Sequence, residues 1–166
     1  KLVGARDPLG IRPLVIGKLD GCPILASETC ALDIIGAQYV RDVENGEVVI
    51  FDEDGAQSHK PFPPMAARPC IFEYIYFARP DSIVGGRHVY DVRKTMGAEL
   101  AREAPAQADV IVPVPDSGVP AAIGFAQEAK IPYELGIIRN HYVGRTFIQP
   151  TQAIRDQGVR LKHSAN

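Results

Sequence analysis

Cysteine is scarce in this sequence, and its three residues lie far apart, at Cys22, Cys30 and Cys70. An odd number of widely spaced cysteines argues against a disulfide framework and suits a reducing compartment. None of the CxxC, HxxH or HExxH spacings occurs, so no zinc site is predicted. We expect Cys22 and Cys30 to be core residues.

Long apolar runs and a secretory signal sequence are also lacking, which excludes a transmembrane helix and a membrane partner from our expectations. No internal repeat is present. The 166 residues are 46% hydrophobic and 23% charged, with a net charge of −2. This composition predicts a soluble, cytoplasmic protein of one domain or two small ones, long enough to bury a core.

The most informative stretch is the run VIVPVPDSG at residues 110–118. Its apolar residues are typical of a strand buried on both faces, and its two prolines limit how far that strand continues. A helix should follow, with Ser117 or Asp116 as N-cap and Pro120 in its first turn. Such a helix N-terminus presents free amides and suits phosphate, provided that a divalent metal separates phosphate from Asp116. An ordinary type I turn fits the same residues.

Residues 1–57 predict a β-rich part of a layered sheet domain. Strands are expected at residues 2–5, 12–16, 24–26, 39–43 and 48–51. Asn45 and Gly46 are typical of a turn that joins two strands. A short helix is expected at residues 30–35, with Ser27 or Thr29 as its cap.

Residues 58–69 contain four prolines and predict a linker between two domains. After it, aromatic side chains at the alternate positions Phe72, Tyr74 and Tyr76 predict a strand. Residues 87–104 are the clearest predicted helix, and Pro105 lies just beyond its end. The succession of strands and helices up to residue 138 predicts an α/β domain at residues 70–166, with a parallel sheet and helices on its faces.

The end of the sequence is basic. Residues 139–166 contain five Lys or Arg and one Asp, a net charge of +4 in a chain whose total is −2. Residues 139–152 show little periodicity, which is typical of a lid or binding loop. A positive loop on a negative body favours an anionic ligand, with a solvated surface loop as the alternative. Nucleic acid is not expected, because no motif for it occurs.

Five sequence runs together closely resemble the glutamine phosphoribosylpyrophosphate amidotransferase (amidophosphoribosyltransferase) family. They are RDPLGIRPL at 6–14, SETCALD at 27–33, CIFEYIYFARPDS at 70–82, VPVPDSG at 112–118 and NHYVGRTFIQ at 140–149. The last three are highly specific, whereas the first also resembles related glutamine amidotransferases. The resemblance covers essentially all of the chain.

The resemblance implies a two-domain glycosyltransferase that works in the first committed step of purine biosynthesis. An N-terminal-nucleophile glutaminase would release ammonia from glutamine, using an N-terminal cysteine whose own α-amine is the base. The ammonia would pass through a channel to phosphoribosylpyrophosphate bound with Mg²⁺, and would displace pyrophosphate to give 5-phosphoribosylamine. The resemblance further implies a homo-oligomer.

The resemblance also assigns roles to residues. Ser117 falls at the magnesium-associated position of the pyrophosphate loop, and residues 140–148 fall on the loop that folds over the substrate and builds the channel. His141 occupies a position that is often basic in relatives. The substrate-binding residues implied are Asp116, Ser117, Gly118, Arg139, Tyr142, Arg145, Thr146 and Ile148.

Cys70 falls where the iron–sulfur members of the family have their first cluster ligand. A [4Fe–4S] cluster is therefore implied for some relatives, but members without a cluster also carry cysteine there, and three more ligands are needed beyond Asn166. A small buried apolar residue is the alternative interpretation of Cys70.

The chain starts at Lys1 without an initiator methionine, so we expect it to be part of a longer protein. Residues 1–57 would then be a partial glutaminase domain and residues 70–166 a partial phosphoribosyltransferase domain. The nucleophilic cysteine and the ribose-phosphate loop would lie outside the chain. We therefore expect the isolated chain to be inactive.

Two other classes of protein stay open on the residues alone. One is a phosphoribosyltransferase-like module that binds a phosphorylated metabolite without catalysis. The other is a purely structural interaction domain, which leaves the basic loop unexplained. The glutaminase-like first third and the intact Tyr-Val-Gly-Arg-Thr-Phe run favour the enzyme.

Overall fold

The computed structural model describes all residues from Lys1 to Asn166, which divide into two compact units, Lys1–Val92 and Arg93–Asn166. No helix combines the length and the apolar character that crossing a membrane requires. The strands are β1 (Leu2–Ala5), β2 (Val15–Leu19), β3 (Cys22–Ala26), β4 (Gln38–Asp42), β5 (Val48–Asp52), β6 (Gly55–His59), β7 (Ile83–Val84), β8 (Arg87–His88), β9 (Ile137–Arg139) and β10 (His163–Ala165). The helices are α1 (Thr29–Ile34), a π-helical turn (Glu73–Phe77), α2 (Val89–Glu103), α3 (Val119–Ala129) and α4 (Gln152–Lys162).

Two antiparallel three-stranded sheets form most of the first unit, in the orders β1-β5-β6 and β3-β2-β4. Val15 of the central strand β2 packs with Leu32 of α1, while its neighbour Ile16 packs with Val49 of β5. Successive side chains of a strand point to opposite faces, so β2 is buried on both. The first predicted strand is confirmed with its exact bounds, whereas β2 begins three residues later than predicted and β6 was not predicted.

The predicted turn at Asn45-Gly46 between two strands is confirmed, but the two strands that it joins do not pair with each other. β4 pairs with β2 and β5 pairs with β1, so the turn passes from one sheet to the other. Glu47 stabilises the segment that passes between the two sheets. Its buried carboxylate accepts two hydrogen bonds from Arg41, at 2.7 and 2.9 Å, and one each from Ser58 Oγ and the Glu44 amide. These bonds, those from Arg41 first, lower the pKa of Glu47 to about 2.

Helix α1 lacks the side-chain cap that was predicted at Ser27 or Thr29. Its N-cap is Glu28, which makes no capping bond, because its carboxylate is used elsewhere. Glu28 Oε2 accepts hydrogen bonds from the Arg79 amide at 2.9 Å and from Ser82 Oγ at 2.7 Å. Thr29 Oγ1 accepts from the Ile83 amide at 2.8 Å. The start of α1 is therefore tied to a segment about fifty residues later in the chain.

Residues 73–77 form a π-helical turn rather than the strand predicted from alternating aromatics. The backbone closes locally, with the Ala78 amide donating to the Glu73 carbonyl at 3.0 Å, because no neighbouring strand supplies ladder bonds. Tyr74 donates its hydroxyl to the Val84 carbonyl at 2.7 Å. The guanidinium of Arg12 lies 4.6 Å from the centre of the Phe77 ring, so a cation–π contact ties the turn to the N-terminal region.

Helix α2, which belongs to the second unit from Arg93 onward, packs backbone against backbone with α3. A Cβ on Gly97 would lie 1.9 Å from the Ala121 carbonyl oxygen, and one on Gly124 equally close to the Lys94 carbonyl oxygen. Glycine is therefore required at both positions. Arg102 of α2 adds a two-pronged ion pair with Glu128 of α3, each bond 2.9 Å long. The predictions of both helices are confirmed.

The strand predicted at the start of residues 110–118 is absent. Only Ile111 pairs there, as an isolated parallel bridge to Tyr133, because Pro113 and Pro115 cannot donate to a ladder. The next predicted strand shortens to β9, which pairs antiparallel with β10. Helix α4 and strand β10 were not predicted. The fold class is confirmed as a mixture of helices and strands, but the extended parallel sheet is not present in this chain.

Candidate functional site

The loop Asp116–Gly118 leads into helix α3 through a tight backbone turn. The Gly118 amide donates to the Val114 carbonyl at 3.2 Å, and the Val119 amide donates to the Asp116 carbonyl at 3.2 Å. A Cβ on Gly118 would lie 2.8 Å from the Val114 oxygen, so only glycine fits this turn. The peptide bond before Asp116 is cis.

Neither Ser117 nor Asp116 caps α3, contrary to the prediction. The N-cap is Gly118, without a side-chain capping bond, and Ser117 is exposed. The amides of Gly118 and Val119 are bonded inward and Pro120 has none, so the helix N-terminus offers fewer donors than predicted. Positive charge at this loop therefore depends on side chains more than on the helix.

Arg139 supplies that charge. It stands at the end of β9 and donates a hydrogen bond from Nη1 to Oδ2 of Asp116. Its Nε is buried without a hydrogen-bond partner. His163 of β10 is the cross-strand partner of Arg139, so the two side chains share one face of the ribbon. The structure thus brings together Asp116 and Arg139, two residues assigned to the site from the sequence.

The basic loop begins at Asn140, whose backbone and side chain are both used. Its amide donates to the Lys162 carbonyl at 2.7 Å, its Nδ2 donates to the Leu161 carbonyl at 3.4 Å, and its Oδ1 accepts from the Tyr142 amide at 3.0 Å. These bonds fix the start of the loop to the end of α4. The prediction of an irregular segment is confirmed for residues 140–151, which we call the 140–151 loop.

Four loop residues assigned from the sequence divide into two groups. Tyr142 and Ile148 are exposed at 101% and 74%, and Arg145 is also exposed. Thr146 is only 4% exposed and contacts Gly158 of α4. The first group can reach a ligand, whereas Thr146 faces the protein.

Two residues of α4 support the loop and were not predicted. Arg155 donates from Nη1 to the Gln149 carbonyl at 2.7 Å, and Gly158 lies under Thr146. Thr151 caps the helix by accepting a hydrogen bond from the Ile154 amide at 3.4 Å. The Thr151 cap and the basic last turn, with Arg160 and Lys162, are the sequence signals that could have revealed this helix.

The three cysteines lie in different elements. Cys30 is buried in α1, as predicted, and burial raises the pKa of its thiol. Cys22 is exposed on β3, so its prediction as a core residue is wrong. Cys70 is partly buried just before the π-helical turn.

No three His, Cys, Asp or Glu side chains are grouped as ligands for a metal ion. The residues of this chain therefore do not by themselves fit an iron–sulfur cluster, which needs four ligands. Magnesium has different needs, because one carboxylate or hydroxyl together with phosphate oxygens suffices. The Asp116 carboxylate and the Ser117 hydroxyl on one loop fit that requirement.

The fold and site define a mixed α/β protein with a candidate anion-binding loop, paired with Arg139, and a basic loop that follows Arg139 in the chain. No family model matches the chain. It is 67% identical to the amidophosphoribosyltransferase of Rhizobium etli over 171 aligned residues, which cover 100% of the chain and 34% of the relative. It is 56% identical to the amidophosphoribosyltransferase of Synechocystis, covering 97% of the chain and 33% of the relative.

A solved structure agrees with these sequence matches. The glutamine phosphoribosylpyrophosphate amidotransferase of B. subtilis, complexed with ADP and GMP, matches with a TM-score of 0.86 and 52% identity, covering 98% of this chain and 36% of that one. The chain thus matches a segment of the amidophosphoribosyltransferase family over its whole length, and the resemblance stated from the motifs is confirmed. It spans about a third of the length of these relatives.

Proposed function

We propose that this chain is part of an amidophosphoribosyltransferase that transfers ammonia from glutamine to 5-phosphoribosyl 1-pyrophosphate. The observation that carries the proposal is the 67% identity over the whole chain to a relative of that name. A second solved structure that matches at 52% identity is that of an enzyme described as the allosteric regulatory enzyme of purine biosynthesis. We therefore place the reaction in purine biosynthesis.

The proposed reaction has two balanced steps. Water hydrolyses the glutamine amide to glutamate and ammonia. The nitrogen lone pair of ammonia then forms a bond to C1 of the ribose while the bond from C1 to pyrophosphate breaks, and pyrophosphate leaves with the bonding electrons. The nitrogen then loses one proton to water, and the products are 5-phosphoribosylamine and pyrophosphate. The second step requires neutralisation of the leaving group and exclusion of water.

The residues near Asp116 suit the pyrophosphate end of this reaction. Ser117 is exposed on the loop, and Arg139 brings a cation to Asp116. Bound Mg²⁺ would supply charge neutralisation of the pyrophosphate, and Asp116 and Ser117 are the residues that would hold it together with phosphate oxygens. Gly118 allows the backbone to turn tightly there.

The 140–151 loop suits the role of a lid. Arg145 offers a charged contact to an anionic substrate, and Tyr142 and Ile148 expose apolar surface that would exclude water on closure. Thr146 belongs to the same proposed lid. In this proposal the loop covers the sugar pyrophosphate and builds the channel for ammonia.

The proposed domain organisation follows the sequence prediction, with a partial glutaminase at residues 1–57, a linker at 58–69 and a partial phosphoribosyltransferase at 70–166. We propose that the 166-residue chain alone catalyses neither step. Glutamine hydrolysis of this type needs a thiol and a free α-amine on one residue, and the amino groups of Cys22, Cys30 and Cys70 are all part of peptide bonds.

The test is an assay of the full-length protein that carries this sequence. With Mg²⁺, phosphoribosylpyrophosphate and either glutamine or ammonium, we expect pyrophosphate release, and with glutamine an equal amount of glutamate. Binding of phosphoribosylpyrophosphate without release of pyrophosphate would instead identify a non-catalytic metabolite-binding module and would overturn the proposal.

A further inference from the structure

The 140–151 loop contacts helix α4 through one buried side chain. Thr146 is 4% exposed, whereas its neighbour Phe147 is 82% exposed and Ile148 is 74% exposed. Phenylalanine and isoleucine are usually buried and threonine is usually exposed, so the burial at these three positions is the reverse of what is usual. The loop is therefore oriented by Thr146, with its apolar side chains turned to solvent.

The surface that receives Thr146 is Gly158, in the interior of α4. A Cβ built on Gly158 would lie 3.0 Å from Cγ2 of Thr146 and 3.3 Å from its Cβ. Glycine is unfavourable in a helix interior, because it loses more backbone entropy than alanine does. The close approach of the Thr146 methyl group gives a packing reason for a glycine here.

Further bonds hold the loop on either side of Thr146. Arg155 of α4 donates to the Gln149 carbonyl at 2.7 Å, and the Gln149 amide donates to the Thr146 carbonyl at 3.3 Å. Asn140 is bonded to the last turn of α4 at the other end. Between these attachments lies Arg145, directly before the anchored threonine.

We propose that the contact between Thr146 and Gly158 anchors the loop on α4, and that Thr146 is a positioning residue for Arg145. The anchor itself does not depend on the proposed function. Only its expected effect on the KM for phosphoribosylpyrophosphate rests on that function. The methyl group of Thr146 does the anchoring, because Cγ2 is the atom that approaches Gly158. The hydroxyl does not contact substrate.

The experiment uses the full-length protein and changes the number of methyl groups on each side of the contact between Thr146 and Gly158. Gly158→Ala adds a methyl group where space is short, Thr146→Ser removes one, and the double variant restores the total. Brief native digestion with trypsin then measures cleavage after the exposed Arg145, quantified by mass spectrometry. A protease needs several residues of extended chain, so cleavage reports release of the loop.

We expect Gly158→Ala to raise the cleavage rate about fivefold, the size expected from overpacking by one methyl group. The double variant should return to within about twofold of the original rate, since the total volume is restored. Gln157→Ala changes an exposed residue of the same helix and should leave the rate unchanged. An unchanged rate in Gly158→Ala, or no recovery in the double variant, would overturn the anchor.

Thr146→Val separates positioning from substrate contact, since it keeps the methyl group and loses the hydroxyl. We expect the cleavage rate of Thr146→Val to stay as it is, and Gly158→Ala to raise the KM for phosphoribosylpyrophosphate with kcat unchanged. A large rise of KM in Thr146→Val with unchanged cleavage would show a hydroxyl contact to substrate and overturn the positioning role. If the double variant restores the original cleavage rate in a protein that shows no turnover, the anchor is confirmed and only the proposed function is refuted.

Discussion

Arg139 donates a hydrogen bond from Nη1 to Oδ2 of Asp116, and this ion pair joins strand β9 to the loop before α3. Each group offsets the charge of the other. An anionic ligand at this loop therefore meets a neutral pair rather than a free cation. Either a metal ion takes over Asp116, or the ligand competes with it for Arg139.

Asp116→Asn should expose this competition. Removing the carboxylate frees Arg139 and takes away a repelling charge, so pyrophosphate should bind more tightly in the absence of Mg²⁺. We expect an affinity gain of about tenfold, because a hydrogen bond to a charged group is worth roughly 1.5–3 kcal/mol. Isothermal titration calorimetry with pyrophosphate measures it. Asp109→Asn, which removes an exposed acid from the same unit, is the control. An equal gain in affinity there would show that the net charge, and not the release of Arg139, causes the effect.

Ser117→Ala should weaken the use of Mg²⁺ in the full-length protein. The hydroxyl is exposed on the loop Asp116–Gly118 and does not cap α3, so its removal costs the fold little. We expect a higher Mg²⁺ requirement for pyrophosphate release and unchanged glutamine hydrolysis. Steady-state rates over a magnesium titration measure both. Identical curves for the two proteins would refute the role of Ser117.

Arg145→Ala should impair the closed state of the 140–151 loop, because Arg145 is the one fixed cation between Asn140 and Gln149. Loss of a charge-assisted contact costs roughly 1.5–3 kcal/mol, so kcat/KM for phosphoribosylpyrophosphate should fall by about 10- to 100-fold. Arg160→Ala removes an exposed cation from α4 as the control. Normal kinetics of Arg145→Ala at low substrate would show that its side chain only faces water.

Glu47 should make stability depend on acid pH. Its folded pKa is about 2, below the ordinary value of 4.5, so its contribution is complete above about 4.5 and is lost as pH falls towards 2. The shift corresponds to about 3 kcal/mol. Urea unfolding of the full-length protein at pH 7 and across pH 5–3 should show this loss, monitored by a probe placed in the first unit.

Glu47→Gln supplies the comparison for that pH dependence. It should lower the free energy of unfolding at pH 7 and flatten its decline between pH 5 and 3, because the ionised carboxylate bonded to Arg41 is gone. Glu44→Gln removes an exposed carboxylate from the same turn and should keep the decline. An unchanged decline in Glu47→Gln would assign the acid sensitivity to other groups.

The elements predicted well are those with strong local signals. Helix α2 has apolar residues at helical spacing and Pro105 just past its end, and β1 is a short apolar run before a turn. The strand expected from the alternating aromatics Phe72, Tyr74 and Tyr76 is absent, because the same spacing also fits a turn in which Tyr74 donates its hydroxyl to the Val84 carbonyl. Arg155 and Gly158 were missed because their role depends on contacts with the 140–151 loop, which the sequence pattern does not show.

The sequence by itself determined the family match, the positions of helices α2 and α3 and the first candidate residues of the site, but not helix α4 with its residues Arg155 and Gly158. Motif residues and helical periodicity are local and can be recognised without coordinates. Tertiary structure alone decided the partners: Asp116 with Arg139, Thr146 with Gly158, and Glu28 with the amide of Arg79. These contacts join residues 12 to 51 positions apart, and their geometry depends on how the elements between them pack.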